Sequence, residues 1–104
     1  MKDNAVNVIL NVHMKALPGH EEELFALLTQ MVEPTRAEAG CMIYELHRDP
    51  ADAGRFMFYE RFVSQEALDF HVATPHLVNF RAVRAASNPD PLESQVVTKW
   101  RAVA

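Results

Sequence analysis

Residues 55–76 read RFMFYERFVSQEALDFHVATPH, and the pattern of this stretch decides the fold. Phe56, Phe58, Glu60 and Phe62 alternate with Met57, Tyr59 and Arg61, the period of a β-strand with two unlike faces. Ser64 then offers an N-cap, with Glu66 in the first turn behind it. Leu68, His71 and Val72 stand at i, i+3 and i+4, so His71 shares the apolar face of that helix. Thr74 and Pro75 repeat the signal as N-cap and N1 of a new helix, with His76 in its first turn. A carboxylate, Glu60, thus sits in a row of phenylalanines. A bare buried charge is costly, so this group needs a partner, water or a proton. An acid on the sheet and a histidine on the covering helix would line one pocket.

Upstream, Ala5 to Lys15 reads as a strand, with Val6, Val8, Leu10, Val12 and Met14 on one face and Asn7, Ile9, Asn11 and His13 on the other. Asn has low strand propensity. Two on one face mark either a wet edge or an amide, such as that of Asn11, aimed into the site. Pro18-Gly19 breaks the strand, and Glu21-Glu22-Glu23 opens a helix whose core stripe is Leu24, Leu27, Leu28 and Met31. This helix is expected over His20 to Ala39, kinked or restarted at Pro34 and stopped by Gly40. Cys41 to Asp49 is a second strand, joined to the third through a turn over 49–54. A last strand follows Asn88-Pro89-Asp90-Pro91, from Leu92 to Val103. The order is β-α-β-β-α-β, an α+β ferredoxin-like antiparallel sheet.

A chain of 104 residues makes one domain, spanning 1–104, and its 49% apolar content is ample for a core. No apolar run is long enough to span a membrane and no signal peptide is visible. One cysteine, Cys41, fits a reducing cytoplasm. A net charge of −4 with scattered Lys and Arg argues against nucleic acid. His71 and His76, five apart across Pro75, do not have the i, i+4 spacing of a zinc helix, so no metal is expected. Three glycines, each at a turn, leave no phosphate loop, and no nucleophile elbow is present. Acid–base chemistry in an apolar pocket remains.

The segments PTRAEAGC, Y-x-L-x-x-D-P, GRF-x-x-YER-aromatic and HVATPH, spread over nearly the whole chain, resemble the antibiotic biosynthesis monooxygenase family. The resemblance implies a homodimeric α+β barrel that oxygenates quinols or polyketide anthrones without metal or flavin. Haem-degrading proteins and an isomerase of a phosphorylated signalling molecule have similar domains. Many members carry tryptophan where this chain has Phe62, which keeps the apolar wall but loses the N–H donor.

His71, oriented by Glu60, is the candidate base, its ordinary pKa of about 6.5 suiting proton transfer at neutral pH. His76 is the third candidate catalytic residue, at a helix N-terminus that favours a neutral ring. Each has a bland alternative: Glu60 paired with Arg55 or Arg81, His71 as a core histidine, His76 as a cap. Asn11, Tyr44, Phe58, Phe62 and Phe80 are the candidate substrate-binding residues; His13, His20 and His47 read as surface. The function expected is a cofactor-free monooxygenase of a small quinol, phenol or polyketide-like aromatic. An isomerase moving a proton beside a carbonyl, or a non-catalytic aromatic-binding module, would use the same pocket.

Overall fold

The structure, a computed structural model, describes residues 6–104. Its elements are β1 (Val8–Ala16), α1 (Glu21–Gln30), α2 (Val32–Arg36), β2 (Cys41–Arg48), β3 (Arg55–Phe62), α3 (Gln65–Val72), α4 (Pro75–Ala86) and β4 (Leu92–Trp100). The expected start of the first strand at Ala5 lies outside the described residues, and the last strand ends at Trp100 rather than Val103. The strands form one sheet in the order β2-β3-β1-β4, every neighbour antiparallel, which is the ferredoxin-like topology read from the sequence.

The first helical segment breaks earlier than Pro34 itself. A proline ring collides with the carbonyl four residues back, here Gln30, and α1 ends at that residue. Pro34 then sits inside the short α2, whose Thr35 and Ala37 amides donate to Met31 and Glu33. Beyond Arg36 the chain turns through residues 37–40 instead of continuing helically to Ala39. Gly19, at φ 90°, takes the left-handed turn before α1 that a side chain would strain. Ser64 caps α3 as expected, its Oγ accepting from the Ala67 amide at 3.1 Å.

Register settles which side of the sheet the helices cover. Leu10 stands opposite Glu60 and Val12 opposite Phe58, while Tyr44 lies across from Glu60 on the other side. Those residues, with Val8, Met14, Phe56, Phe62, Leu24, Leu28 and Phe80, make the core. The other face carries Ile9, Asn11, His13, Met57, Tyr59, Val96, Thr98 and Trp100. Among the described residues no helix covers it, and Trp100 stays 57% exposed.

Candidate active site

The site lies between the helix-facing side of the sheet and α3–α4, where a cavity of about 240 Å³ opens. Leu10, Val12, Tyr44, Phe58 and Phe80 form much of its apolar wall, and Glu60 and His71 supply polar groups. His71 is 3% exposed and its ring is held on three sides. Phe62 packs against it at 4.9 Å and Tyr44 meets it edge-on at 5.5 Å, centroid to centroid. On the third side, Nδ1 lies 2.9 Å from Glu38 Oε2.

Glu38 organises the cluster. Its side chain is 5% exposed, and the same Oε2 lies 2.7 Å from His76 Nε2. A carboxylate oxygen only accepts, so both imidazoles donate to it. That fixes the tautomer of His71: the proton is on Nδ1, and Nε2 carries a lone pair. Nε2 faces Glu60, with Oε1 4.0 Å away, too far for a hydrogen bond and roomy enough for a substrate atom to approach both. Thr74, the expected N-cap of α4, turns its hydroxyl back to donate to the His71 carbonyl at 2.7 Å. Its oxygen also stands 3.2 Å from His76 Nε2, helping to hold that ring.

Local packing explains why Glu38 reaches this point. Gly40 does not take a left-handed conformation, so its role is not that of a helix-ending cap. A side chain there would collide with the Ala67 methyl of α3. The missing Cβ lets the α2–β2 turn lie directly under α3, which brings Glu38 against His71.

Electrostatics separate the acids. Burial, and secondarily the Glu38 carboxylate, push Glu60 up to about 8, so it holds a proton at neutral pH. Burial lowers the His71 pKa, opposed by its bond to Glu38, which keeps the ring neutral. Burial also raises the Tyr44 phenol, leaving it an un-ionised group in the wall. The result is a neutral base facing a protonated acid across an apolar gap.

The sequence-derived candidates therefore divide. His71, Glu60, Tyr44, Phe58 and Phe80 converge on the cavity. Phe62 is fully buried behind the His71 ring and supports it instead of lining the cavity. Asn11 is on the opposite face of the sheet, paired with Tyr59, because odd positions of β1 point away from the helices. The orienting group is Glu38, not Glu60. Neither arginine expected to neutralise Glu60 does so: Arg55 pairs with Asp49, and Arg81 donates to the Val72 carbonyl. His76 reaches the cluster from a separate cavity of about 130 Å³. His20 and His47 pair with Glu23 and Glu45 at the surface, as their positions suggested. The spacing argument against shared ligation by His71 and His76 fails here. It assumes one continuous helix, whereas the restart at Thr74-Pro75 turns both rings toward Glu38, their ligand atoms all within 4.8 Å.

Fold and site define a small α+β domain with a buried carboxylate–imidazole cluster beside an apolar pocket. The sequence model described as "Antibiotic biosynthesis monooxygenase" matches residues 7–83, and the chain belongs to that family. Rv0793 of Mycobacterium tuberculosis, provisionally named a monooxygenase, is 46% identical over 65 residues, covering 62% of this chain and 63% of that protein. The matched stretch thus spans less than two thirds of that relative. Its solved structure superimposes with a TM-score of 0.81 at 32% identity, covering 94% of this chain and 96% of that one. The crystal structure of PA3566 from Pseudomonas aeruginosa gives 0.89 at 31% identity, covering 99% and 100%. Among the described residues, no helix is long and apolar enough to cross a membrane.

Proposed function

We propose that this chain is a cofactor-free monooxygenase of small electron-rich aromatics: quinols, phenols or anthrones in their enol form. The single observation that carries the reading is the orientation of His71, with Nδ1 anchored to Glu38 and Nε2 open to an apolar cavity opposite Glu60. His71 Nε2 takes the hydroxyl proton. The resulting anion is the reductant: it gives electrons to dioxygen and forms a carbon-bound peroxide. The O–O bond then breaks, one oxygen staying as a carbonyl and the other leaving as water. The balance for an anthrone is one ring methylene plus one dioxygen, giving one ring carbonyl plus one water. Glu60, protonated at neutral pH, donates its proton to the departing oxygen. The apolar wall of Phe58, Tyr44 and Phe80 orients the ring and excludes water.

Oxygen uptake with a panel of reduced quinols and anthrones tests this. The expected outcome is uptake matched to substrate and abolished in His71→Gln. No uptake across the panel, or uptake unchanged in that variant, would overturn it. Turnover of a hydroxyketone phosphate without oxygen uptake would instead mark isomerisation by the same base.

The uncovered sheet face supports a second part of the reading, a homodimer with its sheets face to face. Val96 and Trp100, 59% and 57% exposed, leave large apolar side chains in water on that face, beside the half-buried Met57 and Tyr59. A light-scattering mass of one chain at micromolar concentration would contradict it.

A further inference from the structure

We propose that Glu38, His71 and His76 also form a binding site for a borderline divalent cation of the zinc type, and that filling it removes the base. Two imidazole nitrogens and a carboxylate oxygen are the donor set such ions take, with open positions left over. The three ligand atoms already face one another within 4.8 Å. Around an ion at ordinary Zn–N and Zn–O lengths, tetrahedral donors stand about 3.3 Å apart. The two pairs that share Glu38 Oε2 are 2.9 and 2.7 Å apart across N–H···O bonds, so those gaps open by less than an ångström as a metal replaces the protons, while the two imidazole nitrogens, within 4.8 Å, adjust to the same ion.

Charge points the same way. Glu38 is a buried acid, and among the described residues its only ion-pair partners are the two imidazoles; no Lys or Arg reaches it. A second cavity of about 130 Å³ reaches the cluster at His76, lined also by Leu27, Gln30, Met31, Asn79 and Phe80. His76, at 18% side-chain exposure, is the most accessible of the three.

The consequence for the base follows from where the proton sits, and this part rests on the function proposed above. A metal on Nδ1 of His71 displaces the proton from that nitrogen. The neutral ring then carries it on Nε2, the atom that must accept the substrate proton. His76 makes the converse change, moving its proton to Nδ1, so the two rings release no net proton. The cation is therefore an inhibitor that acts from behind the imidazole.

Titration of the purified protein with Co2+, followed by the visible absorption of low-coordinate cobalt, reads ligation without any turnover. One saturable equivalent, displaced by Zn2+, is expected. It should persist in the His20→Gln/His47→Gln double variant, which removes the surface His–Glu pairs, and be lost in His76→Gln and Glu38→Gln variants that still melt cooperatively. Absence of a saturable equivalent in the wild-type protein would overturn the site, as would binding lost only in the surface double variant. Oxygen uptake should fall on adding Zn2+ and return on chelation. If cobalt binds but no quinol is oxygenated, the function fails and the site stands. Uptake that is unchanged while cobalt or zinc saturates the site would overturn the inhibitory role.

Discussion

Two buried carboxylates flank one histidine, and they are treated oppositely. Glu38, on the turn before β2, receives two N–H bonds and no gap separates it from its partners. Glu60, on β3, makes no hydrogen bond among the described residues and stands 4.0 Å from His71. The difference lies in what each element brings near. The turn is pressed under α3 by Gly40 and meets donors. The strand presents its acid to a cavity of aromatic rings, where burial drives protonation. One acid sets the direction of the imidazole; the other holds a proton in front of it.

The largest expected effect comes from removing what both acids face. His71→Ala should lower kcat by about 10²–10⁴-fold, the usual worth of general acid–base catalysis. kcat per folded molecule, measured beside a thermal melt, separates this from a merely structural histidine, which would show a lowered melt with near-normal turnover. Glu38→Gln attacks the orienting side. It keeps the shape and an accepting oxygen but removes the negative charge that both N–H groups point at. A loss of about 10–100-fold in kcat is expected, typical of groups that orient an imidazole, with KM little changed. Equal activity in steady-state assays would show that His71 needs no orienting acid.

Glu60→Gln sharpens the other side through pH. Activity requires neutral His71 and protonated Glu60. The wild-type profile should therefore rise below the ordinary histidine value of about 6.5 and fall near 8. The substitution should erase the alkaline limb. Stability carries the same signature. Glu60 has a folded pKa above its unfolded one, so between about 4.5 and 8 the folded state binds a proton that the unfolded state lacks. Wild-type stability then falls as pH rises through that window, by up to about 1.4 kcal/mol per unit. The Gln variant should lose this slope in denaturant titrations at several pH values. A parallel slope in both proteins would show Glu60 to be ionised throughout. The smallest effect is expected from Gly40→Ala, whose methyl must push α3 off the turn. A cost of about 1–3 kcal/mol, with a fall in kcat from the displaced Glu38, would confirm the packing argument in a melt and a rate assay.

Much of this was legible in residues 55–76. Strict alternation in β3 placed Glu60 among phenylalanines, and the i, i+3 step from Leu68 to His71 put the ring over the sheet. Asn11 misled because alternation says which residues share a face but not which face the helices choose; that follows from pairing with β3. Glu38 was invisible for a different reason. It lies in a turn with no periodicity, and its importance comes from a tertiary approach. The only trace of that approach in the sequence is a glycine two residues later, and turn glycines ordinarily read as helix stops. The metal geometry was hidden likewise, since spacing rules assume one helix and Pro75 begins another.

Glu38 fixes His71 with its proton on Nδ1 and its lone pair on Nε2 toward the cavity. Nitrogen-15 NMR of the histidine rings in the wild-type protein, at a pH just above neutrality, reads this directly. His71 is expected to show a protonated, pyrrole-like Nδ1 and a bare, pyridine-like Nε2. A His71 ring with the proton on Nε2, or an imidazolium at that pH, would contradict it.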